Sequence, residues 1–381
     1  MAAHRVVLAE YFTSEDITLL FVAREDFREP QVVPLDMSLH DLRECIATQF
    51  GHSDVIRQQP DLGTAKWNEL VAPFVKPILQ WADRGDTIWF VPHDILHSVP
   101  LHAVWIDGEY LIERNPVCFS PSASVMKFCQ ARRRTPTGRA IVFGDSIGDL
   151  HHARAESESV AGIFGCTSTT GRDATKTRLL EELSASANGI DVLHLACHGR
   201  LDRDQPMDSG IVLASENATE AGEEPARLTA AEILQLELNT GLVTLSACDS
   251  GVNTRRSGDE MLGLTRALIY AGAPSVLVSL WAVDDLSTRV LMEQFYATYY
   301  REFDCLDSKP TKAEALQKAI VHVMKLTRND LQQWPDAELP RDLSPPKSSG
   351  AAHSLSSIAE NDCPFAHPYY WGAFSLVGDW R

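Results

Sequence analysis

Two short apolar runs constrain this fold more than any other feature of the sequence. Ile190-Asp191-Val192-Leu193-His194-Leu195-Ala196 leads into Cys197-His198-Gly199, and Leu242-Val243-Thr244-Leu245-Ser246-Ala247 leads into Cys248-Asp249-Ser250-Gly251. Apolar runs of this length, without polar alternation and bounded by Gly, read as strands buried on both faces of a parallel sheet. Both end on a reactive side chain. In open α/β sheets the functional crevice lies at the carboxyl ends of the strands, so adjacent strands bring His198 to Cys248 there. A thiol beside an imidazole is a nucleophile beside its base.

The rest of the chain supports an α/β reading. From residue 140 strands and helices alternate: Ala140 to Phe143 reads as a first strand, then Glu156 to Phe164 and Thr175 to Leu183 as helices. Capping boxes open helices at Thr229-x-x-Glu232 and Thr311-x-x-Glu314. Glu260 to Tyr270 is helical, stopped by Gly272, and strands follow at 275–281 and 369–378. Residues 5–36 read as an antiparallel meander, followed by a helix over 67–79 that Pro73 and Pro77 must kink or divide. The expected organisation is a smaller α+β region, 1–135, before an α/β domain, 136–381, with a disordered insertion at 335–366 rich in Pro, Ser and Ala.

Composition removes several function classes. A net charge of -18 argues against a nucleic-acid surface. Eight cysteines without C-x-x-C pairs suggest neither a zinc ribbon nor a disulfide framework, so the thiols read as reduced. No apolar run is long enough to span a membrane and no signal peptide opens the chain, which makes the cytoplasm the expected location. His93, His97 and His102 resemble a metal set by type alone, but Pro92 and Pro100 forbid the regular helix that would bring them onto one face, and no acidic partner is evident. No cofactor or metal is expected.

One rival nucleophile is visible. Gly144-Asp145-Ser146-Ile147-Gly148 satisfies G-x-S-x-G after a strand, the pattern of a serine esterase acting through Ser146. A nucleophile elbow needs a helix to begin immediately after the Ser, and here Asp149 to His152 intervene. A Gly-rich turn ending the strand is the simpler reading. Cys197 alternates to the face opposite His198, and His194 reads as a packed strand histidine.

His194-Leu-Ala-Cys-His-Gly199, Leu245-Ser-Ala-Cys-Asp-Ser-Gly251, the run Gly272 to Asp285 with Trp281, and His367-Pro-Tyr-Tyr-Trp371 together resemble the CHAT family of caspase-like cysteine peptidases. Val91-Pro92-His93 with Leu96 to Leu101 is similar to the region such domains carry upstream. Caspases also place their His about 50 residues before the Cys. The resemblance implies a caspase-like, mostly parallel six-stranded sheet flanked by helices, behind a pseudo-caspase-like N-terminal region. It implies a cysteine endopeptidase with Cys248 as nucleophile, His198 as general acid/base, and the N–H groups of Gly199 and Cys248 as oxyanion hole.

Basic-selective relatives carry Asp two residues before the Cys, where this chain has Ser246. The carboxylates left to line a pocket for a basic residue are Asp208 and Asp285, with Asp249 and Asp284 close by in sequence. Such domains often follow tetratricopeptide repeats, and none is seen here, so an activator or repeat-containing partner is expected to be separate, beside the protein substrate itself. The alternative of another class is a catalytically silent interaction module on the same fold. Arg255-Arg256, in the polar loop after Cys248, would be a self-cleavage site for a basic-selective enzyme.

Overall fold

The computed structural model describes residues 5–38, 40, 43–44, 66–186, 188–200, 202, 205–216, 225–246, 258–281, 283–301, 309–334 and 363–381. Every residue of the strand Ile190–Ala196 is buried, and so is Thr240–Leu245 except Gly241. The two pair in parallel, Ile190 opposite Thr240 and Leu195 opposite Leu245. Successive side chains of a strand point to opposite faces, and here each face meets its own apolar cluster. Ile141, Leu193, Val243 and Val276 cluster with Leu179, Leu264 and Leu268 of the helices Lys176–Ala185 and Gly258–Ala271. Val142, Val192, Leu242 and Leu277 cluster with Val160, Val290 and Ile320 of the helices His151–Phe164, Asp285–Arg301 and Lys312–Lys325. This double covering is why the strands carry no polar alternation; each fully buried aliphatic side chain contributes about 1.5–3 kcal/mol.

Among the described residues one sheet of eleven strands runs through the molecule. In spatial order it comprises Gln31–Leu35, Thr18–Ala23, Val6–Thr13, Thr87–Val91, Val117–Phe119, Phe374–Gly378, Ser275–Ser279, Thr240–Leu245, Ile190–Ala196, Ala140–Gly144 and Thr169–Thr170. Six of these strands lie beyond residue 136, as the resemblance implied, and all but Phe374–Gly378 run parallel to their neighbours in that half. The sheet does not stop there. Phe374–Gly378 also pairs in parallel with Val117–Phe119, which pairs with Thr87–Val91, so the N-terminal meander extends the same sheet.

Several elements differ in extent from their expected bounds. The helix around Trp67 spans Lys66–Val75 and gives way to a 3-10 turn, Lys76–Gln80, where Pro77 removes an amide donor. The helix expected from Glu156 begins at His151, for a reason given below. Tyr369 and Tyr370 belong to a 3-10 turn, and the last strand is Phe374–Gly378. Of the stretch 335–366, residues 335–362 lie outside the described residues, whereas Phe365 is fully buried against Tyr370, their ring centroids 5.1 Å apart.

Candidate functional site

His198 leaves the sheet two residues beyond Ala196, its side chain 12% exposed, at the carboxyl end of the central strand. Its Nε2 lies 2.9 Å from Oδ1 of Asp149. Asp149 was not foreseen. The end of the neighbouring strand, Ala140–Gly144, positions it. Gly144 has no room for a side chain, since a Cβ there would stand 2.5 Å from Ser157 Oγ and 2.9 Å from the Ala153 carbonyl. The missing Cβ lets the helix His151–Phe164 pack directly on the strand end.

Asp145 then turns the chain with φ +47, a conformation short polar side chains tolerate. Its buried carboxylate accepts the Leu150 N–H at 2.8 Å and pairs with Arg154 Nε at 2.9 Å. Those two bonds start the helix early and hold Asp149 immediately before its N-terminus.

The register carries the second half of the geometry. Leu195 faces Leu245, and the Ser246 N–H donates to the Leu195 carbonyl at 3.1 Å. His198 and Cys248 are each three residues beyond that matched pair. Cys248, Asp249 and the Arg255-Arg256 loop lie outside the described residues. Gly199 opposes Ile211 in a short antiparallel pair, while the Val212 N–H donates to the His198 carbonyl at 2.8 Å. In that ladder pattern Gly199 occupies a non-hydrogen-bonded site, so its N–H points away from the partner strand. Ser246 is buried, and its Oγ has no hydrogen-bond partner among the described residues.

The acidic candidates separate. Asp285 opens the helix Asp285–Arg301 close to the imidazoles: burial pushes its carboxyl up, Asp284 and Glu156 add to the rise, and His152 and His198 oppose it. Asp284 caps the same helix, accepting the Ser287 N–H at 3.0 Å. Val283, Asp284, Asp285, Tyr369 and Tyr370 line a cavity of about 270 Å³. Asp208 stands apart on the turn Pro206–Asp208, its main-chain carbonyl bound by Arg227 at 3.1 Å.

The chemically similar neighbours are packed. Cys197 is fully buried, and burial pushes its thiol up to about 12. Ser146 is 2% exposed and donates to the Val212 carbonyl at 2.7 Å, so it fastens its turn to the strand Gly210–Leu213. His194 is fully buried with Nδ1 3.1 Å from Tyr296 Oη, which donates to Thr244 Oγ1 at 2.7 Å. Its Nε2 lies 3.1 Å from Glu156 Oε1, within ion-pair reach but poorly aligned for a hydrogen bond.

His93 Nδ1 sits 2.7 Å from Thr13 Oγ1. Burial lowers His97 to about 4, helped by Arg266 and His93. It lowers His102 to about 3, where the ring packs against Phe119 and Trp371.

The fold and this site define a mixed α/β protein with a histidine and carboxylate pair at the carboxyl end of a mostly parallel sheet. The family model described as CHAT domain matches residues 61–379, and the chain belongs to that family. Tetratricopeptide repeat protein 28 of Homo sapiens is 24% identical over 387 residues, covering 87% of this chain and 14% of the relative. The Mus musculus protein of the same name is 22% identical over 342 residues, covering 76% and 12%. The chain thus spans about one seventh of the human relative's length.

Among solved structures, the Saccharomyces cerevisiae separase-securin complex matches with TM-score 0.45 and 12% identity, over 82% of this chain and 17% of that one. The Arg specific cysteine proteinase gingipain R matches with TM-score 0.44 and 10% identity, over 90% and 74%. No helix among the described residues is long and apolar enough to cross a membrane.

Proposed function

We propose that this chain is a cysteine endopeptidase cutting one or a few protein substrates. The observation that carries the reading is the register: with Leu195 opposite Leu245 in adjacent parallel strands, His198 and Cys248 each follow three residues later in sequence. In this reaction the Cys248 thiolate attacks the scissile carbonyl, and His198 protonates the leaving amine as the C–N bond breaks. A water activated by His198 then hydrolyses the thioester and restores the thiol. The outward N–H of Gly199 and that of Cys248 hold the oxyanion; losing one such donor costs roughly 10²–10³ in rate. Asp149 orients the imidazole through its carboxylate.

For specificity we propose a basic P1 residue facing Asp285, with Asp208 more distant and Ser246 leaving room below the nucleophile. The partly buried carboxylate in a cavity lined by Tyr369 and Tyr370 supports this. We assign catalysis to the half beyond residue 136 and support to residues 1–135. A reducing, cytoplasmic setting fits the free thiols Cys118, Cys129, Cys166, Cys197 and Cys363. A repeat-containing partner or activator fits the tetratricopeptide name of both curated relatives.

An electrophilic peptide probe tests activity directly: Cys248 should label far faster than Cys166, and equal slow labelling would instead identify a silent module. Mapping new protein N-termini with wild type beside Cys248→Ala reads the P1 residue, and wild-type cleavage without basic P1 would remove the Asp285 assignment. The same comparison reports on Arg255-Arg256, since a loop left intact in wild type excludes self-cleavage. Ester hydrolysis that survived Cys248→Ala would return Ser146 to consideration; its burial predicts none.

A further inference from the structure

The opposite end of the sheet carries a second feature. Where the strand Thr240–Leu245 begins, a groove of about 1450 Å³ lies between the segment Pro121 to Arg134, the turn Leu234 to Asn239 and the last turns of the helix Gly258–Ala271. It is at the amino ends of the strands, whereas His198 lies beyond their carboxyl ends. We infer that this groove docks an acidic peptide segment of a partner protein that carries an aromatic or aliphatic anchor.

Two independent observations meet here. The first is apolar. Tyr270 and Phe128 are 71% and 67% exposed, the two most exposed large apolar side chains among the described residues, and both line the groove. Paired aromatics at a groove rim are the usual anchors of a peptide contact.

The second is charge. Acidic residues outnumber basic ones 52 to 34 in this chain. The balance reverses locally, where the groove and the 320 Å³ cavity that continues it are lined by seven cations and three carboxylates. Two of those carboxylates are already engaged. Asp379, fully buried, holds Arg133 at 2.6 Å and Lys312 at 3.7 Å. Asp191 accepts the main-chain N–H groups of Thr137, Gly138 and Arg139.

Among the described residues, the hydrogen bonds of Arg132 and Arg134 go to neutral oxygens. Arg132 Nη1 donates to the Ile269 carbonyl at 3.3 Å, and Arg134 donates to the carbonyls of Asn239 at 3.0 Å and Asn188 at 2.7 Å. Those bonds fix the charge in position, and each guanidinium retains N–H donors whose fork matches a carboxylate. The groove's third carboxylate, exposed Glu237, leaves the arginines in excess. Exposed Arg266 adds a third cation on the groove wall.

A nucleic acid is the weaker fit. A polyanion long enough to bind well would meet the net charge of -18 beyond this one patch, whereas a short acidic peptide stays within a Debye length of about 8 Å of the arginines.

The test is a displayed library of random twelve-residue peptides, selected on the full chain carrying Cys248→Ala. A fluorescein-labelled copy of the strongest binder is then titrated into that chain and into a Phe128→Ala/Tyr270→Ala variant and an Arg132→Glu/Arg134→Glu variant. We expect net-negative peptides with an aromatic or leucine, saturable binding, at least a tenfold loss in either variant, and weakening as salt rises. The aromatic variant leaves the Arg134 bridges intact, so its loss of binding is separable from a folding defect, which a melting curve also monitors. Neutral or basic winners, no enrichment, or equal binding to both variants would overturn the proposal. So would a dimer in sedimentation that the variants dissolve, or binding of a 20-nucleotide single strand that the arginine variant alone abolishes.

Discussion

Both halves of the sheet carry histidines just past a buried parallel strand, and the two sets come to opposite chemical ends. Beyond Thr87–Val91 stand His93, His97 and His102; beyond Ile190–Ala196 stands His198. His102 is 1% exposed between Phe119 and Trp371, with neither ring nitrogen hydrogen-bonded among the described residues, and burial holds it near 3. His198 keeps a solvent-facing edge and a carboxylate at 2.9 Å. His102 is thus a packing element, whereas His198 lies within reach of solvent and of a carboxylate.

The largest effect expected from breaking this contrast is on turnover. His198→Ala or Cys248→Ala should lower kcat/KM for a mapped substrate by at least about 10³-fold, as loss of a nucleophile or its base does elsewhere. His97→Ala should leave turnover unchanged. Equal losses in both halves would show that the reaction is not confined to the His198 end.

The next effect is on stability. The folded pKa of His102 is depressed below its unfolded value, so its contribution is complete above about pH 6.5 and is lost as pH falls towards 3, because the unfolded chain binds a proton that the folded chain refuses. That loss approaches about 1.4 kcal/mol per pH unit. His102→Phe should therefore flatten the fall in urea midpoint between pH 7 and pH 4.5, and an unchanged slope would refute the assignment.

The smallest effect belongs to Asp149. Its carboxylate is 55% exposed, and exposed pairs contribute at most about 1 kcal/mol, so Asp149→Asn should cost about two- to fivefold in kcat. Asn keeps a side-chain oxygen that can hold the imidazole, so Asp149→Ala should cost more in kcat than Asp149→Asn. An unchanged kcat in both variants would show that Asp149 does not orient His198.

Much of the central strand pair was legible in the sequence, since burial on both faces leaves a continuous apolar run and a reactive residue after it stands out. The face of Cys197 opposite His198 followed from strand alternation, and His194 read as a packed strand histidine. Glu156 and Tyr296, the partners of His194, were not legible, because they come from helices 38 and 102 residues away from it. Asp149 was missed for a related reason. Its neighbourhood resembled a nucleophile elbow, and only the packing of Ser157 against Gly144 shows that the Gly and Asp of that motif serve to turn the chain. The extent of the sheet also escaped local reading, because the pairing of Phe374–Gly378 with Val117–Phe119 joins residues some 250 apart.

By itself, the sequence determined which runs are covered strands, where they end, and that a thiol and an imidazole follow two of them. Periodicity and burial are local properties, written into every few residues. The tertiary structure decided that those strands share a register offset of 50, that Asp149 reaches His198, and that arginines from one segment meet aromatic and carbonyl groups from others. Each of these depends on the path of the whole chain, since a hydrogen bond between distant residues exists only after packing has set the distance.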